Sequence, residues 1–230
     1  MQMKKEVMAQ IKNGVIVSCQ ARKGWPMYGK DIMAAFANAA AVGGAVGIRA
    51  TEPENIAAIK TEVKLPMIGI YKQWFEGYDV YITPTFASCE AIIQAGADIV
   101  ALDGTKRPRP NGEKLADIIA KVHEQYPEII VMADCDSVES GVYAENCGAD
   151  LVSTTLAGYT EETKNNTTFN PDLICELVEK ITVPIIAEGH ITSVNDLKAA
   201  YKAGAYSVVI GTAITRPEVI TKKFVTSLEN

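Results

Sequence analysis

The sequence predicts an α/β fold, a single (β/α)8 TIM barrel, and the first indication is a repeated junction. Three stretches resemble one another: "AGADIVALD" at 95–103, "CGADLVSTT" at 147–155 and "AGAYSVVIG" at 203–211. Each places a glycine (Gly96, Gly148 or Gly204) between a helix-like run and a short apolar strand, as expected where a helix ends in a left-handed residue. Because one further strand and helix fits between consecutive junctions, the repeating unit is about 26 to 28 residues, the size of one strand-helix module.

The second indication is a set of eight short apolar runs that read as strands. They span residues 14–19, 45–49, 66–71, 97–103, 129–134, 149–155, 184–189 and 207–211. Their apolar residues are consecutive, which is typical of parallel strands covered on both faces. Helical patterns separate them; in "EKLADIIAKVHEQY", one face carries Leu115, Ile118, Ile119 and Val122. Eight such units in 230 residues favour the closed barrel, with a doubly wound open sheet as the alternative.

Length and composition indicate one domain, residues 1–230, in which residues 1–13 form an N-terminal helix that packs Val7, Met8 and Ile11 on the barrel. Hydrophobic residues make up 48% and charged residues 22%, as in ordinary globular proteins. The net charge of -6 argues against nucleic-acid or membrane partners but permits a local basic pocket for a small anion. Since the N-terminus lacks a signal-peptide pattern and no run approaches 18 apolar residues, we expect a cytoplasmic protein.

No motif in the sequence indicates a cofactor. Neither a G-x-G-x-x-G after the first strand nor a P-loop occurs, and the five cysteines lack C-x-x-C spacing. Asp103, Asp134 and Glu188 could hold a divalent cation through their oxygens. However, they share one end of the predicted barrel with Lys72 and Arg49, which favours ion pairing, so we expect neither a metal nor a cofactor.

The predicted strand ends are almost all polar or ionisable, and in a barrel the active site forms at the carboxyl ends of the strands. In chain order these ends carry Ser18 and Gln20, Arg49, Lys72, Asp103, Asp134, Thr154 and Thr155, Glu188, and Gly211 with Thr212. A single polar strand end can simply meet solvent. The whole set predicts a functional site.

The last two strand ends, "AEGHIT" and "IGTAITRP", predict a phosphate site. Gly189, Gly211 and Thr212 are placed so that backbone N–H groups and the start of a short helix approach an anion. Arg216 could add a charge-assisted contact. The alternatives are a tight turn at Gly211 and a solvated helix start at Arg216.

Lys72 and Glu188 end the third and seventh strands, which lie on opposite sides of an eight-stranded barrel. A lysine that is desolvated or close to Arg49 can lose its proton near neutral pH and act as a base. A glutamate facing it could be the acid/base counterpart. The alternative is an ion pair between Lys72 and a carboxylate at the rim.

The strand-end motifs taken together resemble one family, the N-acylglucosamine-6-phosphate 2-epimerases, which interconvert N-acetylmannosamine 6-phosphate and N-acetylglucosamine 6-phosphate in sialic acid breakdown. The motifs are "VSCQA", "VGIRA", "PMIGIYK", "VYITPT", "ALDGTKRPRP", "MADC", "STTLAGYT", "IAEGHIT" and "IGTAITRP", and the resemblance covers residue 14 to the end. It implies inversion at C2 of a phosphosugar by deprotonation and reprotonation, without a cofactor. It also implies catalytic Lys72 and Glu188, sugar contacts from Gln20, Arg49, Asp134 and Tyr159, and phosphate contacts from Gly189, Gly211, Thr212 and Arg216.

Two features stay open beside this resemblance. After "AEG", many members of the family carry arginine or lysine, whereas this chain has His190, which does not supply a fixed charge as those residues do. The loop with Lys106, Arg107 and Arg109 either lends positive potential near the phosphate or is simply solvated. The oligomeric state also stays open, with a homodimer paired through helices as one candidate, and "MAAFANAAAVGG" is a core helix or an interface. A thiamine-phosphate-synthase-like barrel, a phosphosugar isomerase and a phosphosugar sensor are the alternatives to an epimerase.

Overall fold

The computed structural model describes residues 2–228, and its eight parallel strands close into a barrel in chain order. The strands are β1 Val15–Cys19, β2 Gly47–Thr51, β3 Met67–Ile70, β4 Ile99–Asp103, β5 Ile130–Asp134, β6 Leu151–Ser153, β7 Ile185–Glu188 and β8 Ser207–Ile210. Because β8 pairs with β1, the sheet has no edge, and the predicted (β/α)8 barrel is confirmed over the open-sheet alternative. The predicted domain limits at residue 1 and at 229–230 lie outside the described residues.

The helices surround the barrel. They are α1 Gln2–Ile11, α2 Lys30–Val42, α3 Pro53–Glu62, α4 Phe86–Gln94, α5 Leu115–Gln125, α6 Val138–Asn146, α7 Pro171–Lys180, α8 Val194–Lys202, α9 Thr212–Thr215 and α10 Pro217–Thr226. Proline opens α3, α7 and α10, where its missing N–H is harmless. Capping boxes at Ser137 and Ser193 open α6 and α8. Among residues 2–228, no helix is both long and apolar enough to cross a membrane.

The helix-to-strand junctions follow the repeated glycines. Gly96, Gly148 and Gly204 have φ values of 105°, 96° and 102°, each just past the end of a helix. In α5, the predicted apolar face is the buried one, formed by Leu115, Ile118, Ile119 and Val122. In α2, Met33, Ala34 and Ala37 are buried, so the segment "MAAFANAAAVGG" forms mainly a core helix.

The second strand differs from its predicted bounds. Its apolar run stops at Arg49, which marked the predicted end, but β2 continues to Thr51 and Arg49 lies within it. Ala50 on one side of the strand is fully buried in the barrel–helix layer, and Arg49 on the other side finds carboxylate partners inside the barrel. A charge in mid-strand is tolerated because it is paired, which a local apolar pattern does not reveal.

The barrel interior forms its own apolar core. Inward-facing side chains such as Ile16, Ile68 and Met132 pack with one another, and α1 covers the amino end of the barrel with fully buried Ile11. Val7 and Met8 of α1 contact the same cluster, and the Tyr206 hydroxyl donates to the Met8 carbonyl at 2.9 Å. The amino end is therefore sealed, and the opposite end is left for chemistry.

Candidate active site

A cavity of about 670 Å³ opens at the carboxyl end of the barrel. Nine of the ten predicted site residues line it: Gln20, Arg49, Lys72, Tyr159, Glu188, Gly189, Gly211, Thr212 and Arg216. The tenth, Asp134, is fully buried and does not line the cavity. The sequence-predicted constellation thus converges on one site.

A buried ionic network forms the floor of the cavity around Arg49, whose side chain is 1% exposed. Its Nη1 and Nη2 donate to the two carboxylate oxygens of Asp134 at 3.0 and 2.6 Å. Nη1 also donates to Oε2 of Glu188 at 2.5 Å and to the Thr155 hydroxyl at 3.0 Å. Such a network is stable only when each buried charge is matched, so Arg49 fixes both carboxylates in place.

Both carboxylate oxygens of Asp134 already accept hydrogen bonds, and the side chain is fully buried. Arg49 occupies both of its oxygens, and the Thr155 hydroxyl donates to Oδ1 at 2.8 Å. The carboxylate of Asp134 lies under the cavity floor, bound by Arg49 and Thr155, and this position differs from the predicted direct sugar contact.

Lys72 follows β3 and projects into the cavity without a charged partner. Its ammonium makes no ion pair or side-chain hydrogen bond with any residue between 2 and 228, so the alternative of a rim ion pair is not met. Burial, together with the positive charges of Arg49 and Arg22, lowers the pKa of Lys72 to about 8. A sizeable fraction of the amine is therefore neutral, and able to accept a proton, only slightly above neutral pH.

Glu188 ends β7 on the other side of the barrel. Its Oε2 accepts a hydrogen bond from Arg49 and lies 3.0 Å from the Thr155 hydroxyl oxygen, whereas Oε1 has no partner among the described residues. Burial raises the pKa of Glu188, and the nearby Arg49 opposes this rise. The proton affinities of Lys72 and Glu188 are thus moved toward each other, as suits a pair that exchanges protons near neutral pH.

The loops after β7 and β8 line the far end of the cavity. Gly189 (φ 99°) and His190 (φ 56°) turn the chain after β7, and α9 begins directly after Gly211. The guanidinium of Arg216 lies 3.8 Å from the centre of the Trp25 ring and donates through Nε to Glu218 at 2.7 Å. Its Nη groups have no partner among residues 2–228, which leaves them for an anion.

Comparison with known proteins agrees with this site. A family model described as "NanE: Putative N-acetylmannosamine-6-phosphate epimerase" matches residues 33–230. The chain belongs to this family. A protein of Caldanaerobacter subterraneus subsp. tengcongensis, named "Putative N-acetylmannosamine-6-phosphate 2-epimerase", is 48% identical over 99% of this chain and 96% of its own. A Listeria welshimeri protein of the same name is 44% identical over 99% and 97%.

Solved structures place the same fold in and beyond the family. The N-acetylmannosamine-6-phosphate 2-epimerase from Clostridium perfringens superposes with a TM-score of 0.92 at 42% identity, covering 95% of each chain. Thiamine phosphate pyrophosphorylase from Pyrococcus furiosus reaches a TM-score of 0.61 at 16% identity, covering 90% of this chain and 89% of its own. The second likeness is one of fold alone.

In this member of the N-acetylmannosamine-6-phosphate epimerase family, a row of stacked planar groups crosses the cavity mouth, and sequence reasoning missed it. Arg216 stacks on Trp25, and Arg22 lies 5.5 and 5.7 Å from the centres of the Trp25 and Trp74 rings. Trp74 in turn stacks on Tyr81 at 5.6 Å. The signal was present, because both tryptophans of the chain lie in loops that follow predicted strands, after β1 and after β3.

His190 of this epimerase-family chain stacks on Tyr159, with ring centres 5.0 Å apart. Its Nε2 is buried without a hydrogen-bond partner among the described residues. Gly158 makes room for it, since a Cβ there would lie 2.7 Å from Nε2 and 2.1 Å from the Asn166 carbonyl oxygen. The histidine therefore shapes the wall beside Gly189 through packing.

Two arginines of the basic loop after β4 form hydrogen bonds with Asp103. Arg107 donates to Oδ2 of the fully buried Asp103 at 2.6 Å, and Arg109 donates to its carbonyl oxygen. Lys106 pairs with Glu139 on the surface. None of these five charged side chains lines the cavity, so neither of the open alternatives, a phosphate field or a solvated loop, describes Arg107 and Arg109.

Proposed function

We propose that this protein inverts C2 of N-acetylmannosamine 6-phosphate to give N-acetylglucosamine 6-phosphate, a step of sialic acid and amino sugar catabolism. The observation that carries the proposal is the facing of an unpaired amine and a carboxyl group across one cavity, on β3 and β7 of an eight-stranded barrel. Family membership points to the same reaction.

The chemistry follows from the substrate in its open-chain form. An aldehyde beside C2 makes the C2 proton acidic, because the electron pair left behind can move onto the aldehyde oxygen. In one direction, the neutral amine of Lys72 takes the proton from one face and the carboxyl group of Glu188 returns one to the opposite face. In the reverse direction the two groups exchange roles, and no electrons are transferred to or from the sugar.

The other predicted residues take binding roles in this proposal. Backbone N–H groups at Gly189, Gly211 and Thr212 hold the phosphate, together with the free Nη groups of Arg216. Gln20 and Tyr159 contact the sugar. Support for Gln20 comes from its orientation: Nε2 donates to Ser18 at 2.8 Å, while Oε1 is buried without a protein partner and can accept from a sugar hydroxyl or amide.

Arg49 and Asp134 support the reacting groups from below. By occupying Oε2 of Glu188, Arg49 leaves Oε1 as the oxygen that faces the substrate. Its positive charge also keeps Lys72 ready to release a proton. We propose that Asp134 contributes by holding Arg49, without touching the sugar itself.

The test is proton exchange at C2. In heavy water, the wild type is expected to place deuterium at C2 of both epimers of the sugar phosphate, while Lys72→Ala and Glu188→Gln lose epimerisation by at least about 100-fold. Lys64→Ala, an exposed lysine without a partner, is the matched control and should leave the rate unchanged. Absence of both product and C2 deuterium in the wild type would reject the proposal, and ligand-induced stabilisation without turnover would indicate a sensor.

We propose that residues 1–230 act as one domain in the cytoplasm, with a small phosphosugar as the ligand and without nucleic acid or membrane partners.

We also propose a homodimer. It is supported by α10, which buries none of its residues and exposes Phe224 and Val225. Analytical ultracentrifugation of the wild type and of Phe224→Glu tests the dimer, since the charge should shift the mass toward a monomer.

A further inference from the structure

Glu52 follows β2 directly and lines the active-site cavity, although local structure disfavours glutamate at this position. Its φ of 72° lies in the left-handed region, where a residue with a long side chain is strained. It is the N-cap residue of α3 but makes no capping hydrogen bond. Its carboxylate is half-buried and forms no ion pair with any residue from 2 to 228. A strained residue in a cavity wall, kept despite these costs, points to function.

Hydrogen bonds hold the side chain and the backbone of Glu52 in the cavity wall. Buried Asn55 donates through Nδ2 to Oε2 of Glu52 at 3.1 Å and to the Thr51 carbonyl at 3.0 Å. The Glu52 N–H donates to the Ile70 carbonyl at 3.1 Å, which ties it to the end of β3, two residues before Lys72. Oε1 of Glu52 stays without a partner in the described part of the chain.

Five charged groups act on Lys72 or respond to its charge. The charges of Arg49 and Arg22 destabilise the protonated amine of Lys72, while those of Glu188 and Asp134 stabilise it. Burial raises the pKa of Glu52, and the positive charge of Lys72 opposes this rise. Asp134 and Glu188 are both bound by the Arg49 guanidinium and lie at the floor of the cavity. Of these three described carboxylates, Asp134, Glu188 and Glu52, only Glu52 has no guanidinium partner and is also partly open to solvent.

The proposed reaction leaves a proton imbalance after each turnover. Lys72 has gained the proton from C2 and Glu188 has lost one, so neither group is ready for a second conversion in the same direction. We propose that Glu52 carries the proton between Lys72 and solvent, an inference that rests on the proposed function. The ammonium of Lys72 gives its proton to the Glu52 carboxylate, the resulting carboxylic acid releases it to solvent, and Glu188 takes one proton up from solvent.

Lys72 and Glu52 form no direct hydrogen bond or ion pair in the described part of the chain, so the transfer requires movement of the lysine or bridging water. Lysine has a flexible four-carbon stem, so its amine can move between C2 of the substrate and the part of the cavity wall where Asn55 holds Glu52. The strained backbone and Asn55 keep the acceptor fixed while the donor moves.

Steady-state kinetics of Glu52→Gln test this role. The amide keeps the size of the side chain and can still accept from Asn55, but it cannot carry a proton. We expect kcat to fall at least about tenfold while KM changes less than about twofold, and we expect added imidazole, a small diffusible base, to restore most of the lost kcat. Glu52→Asp should retain more of kcat than Glu52→Gln. Glu54→Gln, an exposed neighbour in α3, should match the wild type.

A second measurement separates this inference from the proposed reaction. Because the positive charge of Lys72 acts on Glu52, we expect Glu52→Gln to lower the pKa of the Lys72 amine below about 8, which the pH dependence of Lys72 acetylation by acetic anhydride reports without any turnover. If the wild type does not epimerise but Glu52→Gln lowers this pKa, the proposed function fails, whereas the electrostatic coupling between Glu52 and Lys72 stands. An unmoved pKa, an unchanged kcat, or a loss of kcat that imidazole does not restore overturns the role of Glu52.

Discussion

At the scale of single residues, one buried guanidinium organises the site. Arg49 lies within a strand, has no access to solvent, and holds carboxylates that come from β5 and β7. Burying three charges together is costly, so the arrangement contributes more to geometry than to stability. Its removal nevertheless leaves two carboxylates without a counter-charge, Asp134 beneath the cavity floor and Glu188 in the cavity wall.

Arg49→Met measures that cost. We expect the free energy of unfolding at pH 7 to fall by about 3 kcal/mol, because Asp134 and Glu188 lose their counter-charge inside the barrel. The deficit should shrink at pH 5, since burial raises the pKa of Glu188 and, without Arg49 to oppose this rise, its carboxylate is protonated more readily as the pH falls. Urea unfolding at both pH values provides the measurement.

The control for Arg49→Met is a surface ion pair. Lys106 and Glu139 lie 2.7 Å apart with side chains 59% and 78% exposed, and such pairs contribute less than about 1 kcal/mol. Lys106→Met should therefore change the unfolding free energy by less than that amount at either pH. Equal losses in the two variants would contradict the central role given to Arg49.

Lys72 illustrates a conflict between stability and activity. Its pKa is lowered from 10.5 to about 8 by burial and by neighbouring cations, so folding opposes the charged amine. We expect Lys72→Met to abolish epimerisation yet to raise the free energy of unfolding at pH 7 by about 2 kcal/mol. The gain should be fully present below pH 8 and disappear as the pH rises toward 10.5, because the unfolded lysine then also loses its proton.

Unfolding curves of Lys72→Met between pH 7 and pH 10 check this prediction. Lys64→Met is the matched control, and at an exposed position it should shift stability by no more than about 0.5 kcal/mol. A stability gain that does not vary with pH would mean that packing, and not charge, explains the effect.

At the scale of elements, the loops after the strands supply what the strands cannot. The loop after β6 packs Gly158 against His190 and the Asn166 carbonyl, next to the Gly189 turn. The loops after β1 and β3 bring the stacked Arg22, Trp25 and Trp74 over the mouth. These segments decide the shape of the cavity, whereas the barrel decides the position of the reacting groups.

Gly158→Ala tests the packing of the β6 loop. Its φ of 86° already disfavours alanine, and the new Cβ would lie 2.1 Å from the Asn166 oxygen, so the loop must move. We expect a loss of about 3 kcal/mol in the free energy of unfolding. His190 follows Gly189 of the proposed phosphate site, so its displacement should also raise KM for the sugar phosphate in steady-state kinetics.

Gly24→Ala isolates the backbone contribution. Gly24 has a nearly identical φ of 89°, but a Cβ there would meet nothing within 4 Å. Its cost should be limited to about 1 kcal/mol of conformational strain. If the two alanine variants lost equal stability, the contact of Gly158 with Asn166 and His190 would have no energetic importance.

At the scale of the whole molecule, the barrel separates stability from chemistry. Helix α1 seals the amino end with Ile11, and the proposed reaction takes place at the carboxyl end. We expect Ile11→Ala to lower the free energy of unfolding by about 3 kcal/mol, since it leaves a cavity in a fully buried cluster. Denaturant unfolding measures this loss, and kcat per folded molecule should stay at the wild-type value.

Met3→Ala serves as the control, since Met3 lies in the same helix but is 50% exposed. It should change neither the free energy of unfolding nor kcat. A fall in kcat for Ile11→Ala at temperatures where the protein is folded would contradict the separation of the two ends.

The sequence by itself determined the repeating architecture and most of the site. The glycines at 96, 148 and 204 and the consecutive apolar runs are local signals, because helix ends and strand burial depend on residues close in the chain. Once eight strands are counted, polar residues at their ends must converge. Lys72, Glu188 and Arg216 were therefore predictable from spacing and from family resemblance, and they do line one cavity.

Only the tertiary structure decided which charges are paired. Arg49 meets Asp134 and Glu188 across 85 and 139 residues of chain, and Asp103 is satisfied by its own loop through Arg107. The same structure leaves Lys72 unpaired and turns Glu52 into a strained backbone conformation at the cavity wall. Pairing depends on the register of the closed barrel and on distances of a few ångströms, and the order of residues along a chain does not contain these distances directly.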